Sequence, residues 1–334
     1  MRILVVGGAG YIGSHAVRRL LAGGHEVRVL DNLAAGHREA VPEGLLTIGD
    51  LMDRDGLAAI LGAGAFDGVM HFAAHASVPE SVADPARYYR NNVVGSLNLL
   101  DAMRAAGVAR IVFSSTAATY GIPAESPIDE HAPKQPINPY GFTKLVIETA
   151  LADYARAYGL GFAALRYFNA CGAADDASIG EDHAPEHHLI PCILQVALGQ
   201  RESVSIFGTD YPTPDGTCVR DYIHVEDLAE AHAIVLGQIR PGAGLTYNLA
   251  TGTGYSVRQV VDAARRVTGL PIPTVEKPRR DGDPPVLVAS AEAIRRDLGW
   301  SPRYRDIEAI VGSAWAWHRQ NPRGYADRAE VARA

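Results

Sequence analysis

The chain has 334 residues, of which 47% are hydrophobic and 21% charged, with a net charge of −7 and three cysteines. This length suits one large or two modest domains, and an acidic chain without a basic cluster is not expected to bind nucleic acid. No apolar run approaches the ~20 residues of a membrane span. The scattered cysteines, together with a strand that begins at residue 3, favour a cytoplasmic protein with reduced thiols. The twelve histidines form no H-E-x-x-H pattern, so no metal site is predicted.

The first predicted elements carry a dinucleotide-binding signature. A buried strand over residues 3–6 breaks into the glycine-rich turn 7–13, GGAGYIG, and a helix is predicted over 14–22. A second strand over 26–30 ends in Asp31. The glycines let the backbone approach a pyrophosphate, the helix N-terminus offers N–H groups to that anion, and the acid can accept hydrogen bonds from a ribose. The negative charge of Asp31 would repel a 2′-phosphate, which favours NAD over NADP.

The rest of the first half alternates strands with helices. Strands are predicted over 45–49, 68–72, 111–115 and 161–167, and helices over 55–61, 85–106 and 138–158. This alternation predicts an α/β fold with a doubly wound parallel sheet of the Rossmann type over residues 1–171. Asp50, Ala73, Ser114 and Asn169 all follow predicted strands, so we expect them at the edge of the sheet where such folds bind ligands.

The second half is predicted to form a smaller, mixed α/β lobe over residues 172–334 that binds the substrate. Residues 172–188 are expected to be a loop. Helices are predicted over 189–198, 227–239, 257–268, 291–298 and 306–319, and strands over 203–207, 245–249 and 274–276. Ser256 and Ser290 are expected to cap the helices that follow them.

Tyr140 and Lys144 lie one helical turn apart on the predicted helix 138–158, so their side chains share a face. A free phenol has a pKa of ~10, and a nearby ammonium stabilises the phenolate. The pair would therefore act as a base near neutral pH. The same spacing is common on ordinary surface helices, and it gains weight here from the dinucleotide signature in the same chain.

Ten segments along the chain resemble one family. The chain is similar to the extended short-chain dehydrogenase/reductase superfamily and, within it, to the UDP-galactose 4-epimerases. The glycine turn and the Tyr/Lys pair are typical of the whole superfamily, whereas the long segment that begins at residue 206 is typical of sugar-nucleotide 4-epimerases. The segments are GGAGYIGSH (7–15), LDNL (30–33), HFAA (71–74), YYRNNVVGS (88–96), FSSTAATYG (113–121), NPYGFTK (138–144), LRYFNACGA (165–173), GEDHAPEHHLIP (180–191), IFGTDYPTPDGTCVRDYIHVEDLA (206–229) and YNLATGTGYSV (247–257).

The resemblance implies reversible 4-epimerisation of UDP-hexoses with a tightly bound NAD. Tyr140 would remove the proton of the sugar 4-hydroxyl, Lys144 would bind the nicotinamide ribose, and Thr116 would hydrogen-bond the 4-oxygen. The helices 85–106 and 138–158 would form a homodimer. The residues implied to contact NAD are Gly7, Gly10, Tyr11, Ile12, Gly13, Asp31, Asn32, Asp50, Leu51, Phe72, Ala73, Ala74, Asn91, Ser114, Tyr140, Lys144 and Tyr167.

The nucleotide end of the substrate needs cations and hydrogen-bond acceptors. Arg220 is expected to bind the diphosphate, because a guanidinium fork suits phosphate oxygens; Arg280 is a second candidate, and Asp283 would accept from the uridine ribose. Leu287 stands where relatives carry a Tyr that narrows the sugar pocket, and we therefore hypothesise turnover of UDP-N-acetylhexosamines as well. The further residues implied to lie near the substrate are Thr116, Tyr140, Phe168, Asn169, His188, Leu189 and Phe207.

Several other functions share this machinery. A 4,6-dehydratase is disfavoured, because Ala117 and Ala118 follow Thr116 where such enzymes carry an acidic pair. A 4-epimerase of UDP-xylose or UDP-glucuronate, and a UDP-glucuronate decarboxylase, stay open. A non-catalytic NAD-binding protein is disfavoured, because it would not need the Tyr, Lys and Thr together.

Overall fold

The structure, a computed structural model, describes residues 1–280 and 282–326. The chain divides into two units. The first unit consists of Met1–Ile122, Glu130–Tyr167 and Ala229–Asn248. The second consists of Pro123–Asp129, Phe168–Leu228 and the described residues from Leu249 onward. The division into domains at residue 171 stays a prediction.

The strands and helices are as follows. The strands are β1 (Arg2–Val6), β2 (Glu26–Asp31), β3 (Leu46–Ile48), β4 (Gly68–His71), β5 (Arg110–Ser114), β6 (Gly161–Tyr167), β7 (Asn169–Cys171), β8 (Val204–Phe207), β9 (Val219–His224), β10 (Gly244–Leu249), β11 (Gly254–Ser256), β12 (Thr274–Lys277) and β13 (Val286–Leu287). The helices are α1 (Tyr11–Ala22), α2 (Arg54–Gly64), α3 (Val78–Ala83), α4 (Pro85–Tyr88), α5 (Gly95–Ala105), α6 (Pro139–Tyr158), α7 (Leu189–Ala197), α8 (Val225–Gln238), α9 (Val257–Thr268), α10 (Glu292–Leu298) and α11 (Ile307–Gln320). Short 3₁₀ turns cover Arg38–Ala40 and Ala117–Tyr120, and a π-helical segment covers Tyr89–Val94.

A seven-stranded sheet forms the centre of the first unit, in the order β10-β6-β5-β4-β1-β2-β3. The pairs from β3 through β6 are all parallel. The strand order reverses between β1 and β4, and the loops beyond the carboxyl ends of strands at such a point bind ligands in this architecture. The predicted Rossmann-type parallel sheet is confirmed.

Buried apolar side chains explain why these segments form strands. All seven residues of β6 are buried, and β1 is buried from its second residue on, as expected for strands covered on both faces. On one face, Leu4, Leu30 and Phe113 pack in a cluster with Leu57 and Ile147 from the flanking helices. Each such side chain contributes about 1.5–3 kcal/mol by leaving water, so this cluster holds the sheet and its helices together.

The second unit contains a mixed sheet and a helical core. Strand β9 pairs with β11 antiparallel and with β7 and β13 parallel, while β8 and β12 form a separate parallel pair. Helices α7, α9 and α11 pack together around Leu194, Val260 and Ile310. Ser256 caps α9 in a complete capping box with Gln259, as the sequence predicted. The predicted mixed α/β lobe is therefore found in this unit.

Two predicted helix boundaries need correction. Helix α1 begins at Tyr11 rather than at residue 14, because the end of the glycine turn itself forms the first helical turn after an extended Gly10. Helix α10 begins at Glu292 with Ala291 in the capping position, one residue later than predicted, and the hydroxyl of Ser290 accepts from the backbone N–H of Glu292 at 3.3 Å. The backbone N–H of Ser290 donates to the carbonyl of residue 128, which keeps that position extended.

The predicted helix 85–106 is interrupted. Helices α4 and α5 flank the π-helical segment Tyr89–Val94. The hydroxyl of Ser96 donates to the carbonyl of Asn92 at 2.6 Å, and a side chain that binds the backbone in this way competes with regular helix bonds. Asn92 is also held from outside the helix, because its amide donates to the Thr143 hydroxyl at 3.2 Å.

Among the described residues, every helix is too short or too polar to cross a membrane.

Candidate functional site

The glycine turn lies close against its own sheet. Gly7 has φ +79°, and a Cβ there would stand 2.4 Å from the backbone nitrogen of Ala73. A Cβ on Gly13 would stand 2.1 Å from the carbonyl oxygen of Gly7, whereas one on Gly10 would meet nothing nearer than 3.5 Å. Within the described residues, no side chain caps the N-terminus of α1, and no acidic residue occupies its first turn. This arrangement suits an anion bound at the helix N-terminus, as the predicted roles of Tyr11 and Ile12 require.

Acidic side chains follow β2 and β3. The carboxylate of Asp31 accepts from the backbone N–H of Ala9 at 2.9 Å and of Leu33 at 2.8 Å. A carboxylate offers about four acceptor positions, so two stay available for the hydroxyls of a ribose. The amide of Asn32 donates to Asp50 at 2.8 Å, so the structure brings these predicted NAD residues together.

A cavity of about 310 Å³ adjoins this acidic edge. Two predicted NAD residues, Asp50 and Asn91, line it. Phe72, Ala73 and Ala74 directly follow β4 at the same edge of the sheet, and Leu51 lies just beyond β3. The turn and the acidic residues lie at the edge of the sheet where this fold binds dinucleotides, and the cavity adjoins that edge at Asp50. The remaining residues lining the cavity are Met52, Asp84, Ala86, Arg87 and Arg90.

Helix α6 places Tyr140 in its first turn, because the side chain of Asn138 caps the helix start. Lys144 is 3% exposed. Its Nζ donates to the carbonyl oxygen of Ser114 at 2.7 Å and lies 5.9 Å from the centre of the Tyr140 ring. The hydroxyl of Ser114, at the end of β5, shares a hydrogen bond with Tyr167, at the end of β6. The structure thus gathers four predicted NAD-site residues at the carboxyl ends of β5 and β6.

The protonation of this pair differs from the expectation. Burial raises the pKa of Tyr140, and a hydrogen bond with the Thr116 hydroxyl opposes that rise. Burial lowers the pKa of Lys144 to about 7, against the attraction of the Glu148 carboxylate. The expected lowering of the Tyr140 pKa by Lys144 is therefore not met by the protein alone, because loss of solvation raises that pKa.

A buried ion pair beneath Lys144 escaped the sequence analysis. The side chains of Arg166 and Glu148 are 2% and 8% exposed, and Arg166 Nε donates to the carboxylate at 2.9 Å. Ser115 also donates to Glu148, at 2.6 Å, and Arg166 donates to the hydroxyl of Tyr120 at 2.8 Å. The available signal was the position of Glu148, one turn after Lys144 on the helix face that already carries the reactive pair.

In the second unit, three predicted substrate residues lie together. Arg220 forms an ion pair with Asp283, and a second guanidinium nitrogen donates to the carbonyl of Val219 at 2.8 Å. Leu287 on β13 is the register partner of Arg220 on β9. The guanidinium therefore stands beside the position predicted to set sugar specificity.

The remaining substrate candidates form separate local arrangements. The guanidinium of Arg280 lies over the ring of Phe207, 3.9 Å from its centre, which is a cation–π contact. The amide of Asn169 donates to the carbonyl of Asp221 at 2.9 Å, and half-buried Phe168 precedes it. Asn169 thus begins β7 of the mixed sheet; the sequence analysis expected no strand there.

His188 belongs to a cluster that the sequence analysis did not recognise. It precedes Leu189, the first residue of α7, and its Nδ1 lies 2.9 Å from Glu181 and 3.0 Å from Glu186. Although burial lowers the pKa of both histidines, contact with the two carboxylates raises it to about 10 for His188 and about 9 for His183. Alternating Glu and His letters in GEDHAPEHH were the only signal available.

Comparison with known proteins agrees with these features. The UDP-glucose 4-epimerase of Streptococcus mutans serotype c is 54% identical over 98% of this chain and 100% of that relative. A crystal structure of a UDP-glucose 4-epimerase superposes with a TM-score of 0.95 at 50% identity, covering 97% of this chain and 99% of the other. The Brucella ovis UDP-glucose 4-epimerase in complex with NAD gives a TM-score of 0.91 at 47% identity, covering 94% and 97%. The family described as NAD dependent epimerase/dehydratase matches residues 3–250, and the chain belongs to it.

Proposed function

We propose that this protein interconverts UDP-galactose and UDP-glucose by 4-epimerisation with a retained NAD. The observation that carries the proposal is the placement of buried Lys144 with its Nζ 5.9 Å from the centre of the Tyr140 ring, on the helix that follows the dinucleotide-binding turn and sheet in the first unit. The pair supplies an acid/base group, which a protein that only binds NAD would not need.

The chain's own residues would move and hold the proton. When bound, NAD⁺ would supply a hydride acceptor and donor for carbon 4 of the sugar, and its positive charge would favour a phenolate nearby. Tyr140 takes the proton of the 4-hydroxyl and later gives it back. Thr116 hydrogen-bonds the 4-oxygen, and Lys144 binds the nicotinamide ribose. Tyr140 is half-buried and Lys144 is buried, which limits the water that can compete for the proton.

The remaining cofactor and substrate residues follow from their positions. We propose that the turn holds the pyrophosphate of NAD and that Asp31 accepts from its adenosine ribose. Arg220 would bind the substrate diphosphate, exchanging its partner Asp283 for phosphate oxygens, and Asp283 would then accept from the uridine ribose. Arg280, fixed over an aromatic ring, would supply a second positive charge.

Variants on α6 test this function. Purified protein is given UDP-galactose without added NAD, and UDP-glucose is measured by a coupled assay. Tyr140→Phe is expected to retain bound NAD and to lose about 100-fold or more in turnover, since general acid–base groups contribute that much. Tyr158→Phe, on an exposed residue of the same helix, is the matched control and should match the wild type. A wild-type protein that holds NAD and converts no UDP-sugar would refute the proposal.

We also propose that UDP-N-acetylhexosamines are substrates. Leu287 is half-buried beside Arg220, and its side chain is shorter than the Tyr of relatives, which leaves room for an N-acetyl group. Wild-type protein should convert both UDP-glucose and UDP-N-acetylglucosamine, and Leu287→Tyr should convert only the first. Conversion of UDP-glucose alone by the wild type would contradict the proposal.

The comparisons favour UDP-hexoses over UDP-xylose or UDP-glucuronate, and 4-epimerisation over decarboxylation.

A homodimer in the cytoplasm is the proposed form of the protein. Tyr89, Val94 and Phe142 expose 39%, 41% and 45% of their surfaces, and the rings of Tyr89 and Phe142 are 6.4 Å apart, which is an apolar surface suited to a second copy. Phe142→Glu should give a monomer in sedimentation, while Val275→Glu on β12 should not. A monomeric wild type would contradict the proposed homodimer.

The proposed cytoplasmic location is supported by the cysteines. All three are free thiols, as is typical of a reducing compartment.

A further inference from the structure

Four side chains, of which only His188 was expected near the substrate, converge in the loop before α7. We call Glu181, His183, Glu186 and His188 the Glu/His cluster. One nitrogen or carboxylate oxygen of each residue lies within 4.8 Å of those of the other three. All four come from a stretch of eight residues in the second unit, so the cluster depends on local folding.

The distances suit a small four-coordinate ion. Bonds of about 2.0–2.1 Å to a tetrahedral Zn²⁺ place neighbouring ligand atoms about 3.3–3.4 Å apart. His183 Nδ1 lies 3.3 Å from a Glu181 oxygen and 3.5 Å from a Glu186 oxygen. His188 Nδ1 lies 2.9 Å from the same Glu181 oxygen. The four ligand atoms lie within 4.8 Å of one another, so the more distant pairs would close by up to about 1.5 Å around the ion.

The environment also favours a bound cation. The side chains of Glu181 and Glu186 are only 5% and 3% exposed, and two carboxylates buried side by side need positive charge between them. Two protonated histidines supply that charge in the protein alone, and a divalent ion that displaces their protons supplies the same charge. One oxygen of Glu186 accepts from the backbone N–H groups of His187 and His188, at 2.7 Å each. These bonds fix the carboxylate from behind, as outer partners of metal ligands commonly do, and leave its other oxygen directed at His183.

We propose that the Glu/His cluster is a structural binding site for a divalent transition metal, with Zn²⁺ as the best match. Two imidazoles with two carboxylates suit Zn²⁺, whereas Mg²⁺ and Ca²⁺ prefer oxygen ligands alone. The protein supplies all four ligands, which is typical of a structural rather than a catalytic ion. The ion would hold the loop that leads into α7 in one conformation. This proposal departs from the sequence-based expectation of no metal, and it does not depend on the proposed epimerase activity.

Metal analysis of untagged protein tests the site. After dialysis against Zn²⁺ and removal of free metal, the wild type is expected to hold one equivalent per chain by mass spectrometry of the metal. His183→Ala and Glu186→Gln should lose it. His187→Ala is the matched control, because His187 is exposed and lies between two cluster residues without belonging to the cluster; it should keep the metal.

Two measurements on the wild type keep the test independent of how the variants fold. Protein treated with a chelator and kept in its NAD-bound form should gain about 4 °C in Tm when Zn²⁺ is present at ~100 times its Kd. Co²⁺ in place of Zn²⁺ should give the strong visible bands of a four-coordinate ion. A wild type that binds no more metal than His183→Ala, with Tm unmoved and no such bands, would overturn the proposal and leave a network of protonated histidines and carboxylates.

Discussion

The buried pair of Arg166 and Glu148 allows a sharp test of what holds the reactive helix in place. Glu148→Leu removes the carboxylate and leaves the guanidinium at 2% exposure with only Tyr120 as a side-chain partner from the observed network. An unpaired charge at such depth is costly, because its lost hydration is no longer offset by its partner. Arg166→Met makes the opposite change and leaves the carboxylate with Ser115.

The expected loss is large for a single substitution. Breaking a buried ion pair costs about 3–5 kcal/mol. With an unfolding entropy of about 2.1 cal/mol/K per residue, a chain of this length loses about 4–7 °C in Tm. The double variant Glu148→Leu/Arg166→Met removes both charges, so it should lose less than either single variant.

The Tm of the wild type, the two single variants and the double variant is measured at one fixed NAD concentration, because bound nucleotide raises Tm by mass action. The interaction energy from the double-mutant cycle should favour the pair by several kcal/mol. Single variants within 1 °C of the wild type, roughly 0.7 kcal/mol on the same entropy scale, would refute the reasoning. A double variant that loses the sum of the two single losses would refute it equally.

Three further predictions concern stability and cofactor retention. Burial lowers the pKa of Lys144 from 10.5 to about 7, so between pH 7 and 10.5 the unfolded chain binds a proton that the folded chain does not. The free energy of unfolding of the nucleotide-free protein should therefore rise by about 1.4 kcal/mol for each unit that the pH rises in this range. Lys144→Met should lose that contribution in urea titrations. Gly13→Ala places a Cβ 2.1 Å from the Gly7 oxygen and should lose retained NAD, measured by absorbance of the released nucleotide. Ser256→Ala removes the capping box of α9 and should cost about 1 kcal/mol in urea unfolding.

Each of these has a control and a contrary outcome. An unchanged pH slope in Lys144→Met would mean that the amine does not titrate near neutrality. Gly62 lies in α2 with open space at its Cβ position, so Gly62→Ala is the control for Gly13→Ala. It should keep NAD and gain up to ~1 kcal/mol in its free energy of unfolding. Equal NAD loss in both glycine variants would contradict the steric explanation. Ser290 accepts a single backbone N–H bond, at 3.3 Å, whereas Ser256 forms a complete capping box, so Ser290→Ala should cost less than Ser256→Ala.

The strands of the first unit could be predicted from the sequence because each is a short apolar run bounded by turn residues. The run 161–167 is β6 without any change of boundary. Strand β9 was missed because VRDYIH carries charged residues, and only hydrogen bonds from distant parts of the chain satisfy them in a buried strand. Asp221, for example, accepts from the backbone and hydroxyl of Thr251, a partner that local sequence does not indicate.

From the residues alone, the site could be predicted where its geometry is local or where side chains follow neighbouring parallel strands, as Ser114 and Tyr167 do. Tyr140 and Lys144 share a face because they are four residues apart on one helix. Arg166 and Glu148 meet from a strand and a helix, and their pairing depends on how the two pack. The pKa of Tyr140 likewise depends on burial, which the four-residue spacing does not report.

The most direct test of the account follows carbon 4 itself. UDP-galactose that carries deuterium at carbon 4 is incubated with purified protein without added NAD and followed by proton NMR, with Tyr140→Phe as the control. The account predicts growth of the UDP-glucose anomeric signal, with deuterium still on carbon 4, because the hydride leaves and returns within one site. A silent spectrum with NAD bound, or product whose deuterium has exchanged with water, would contradict it.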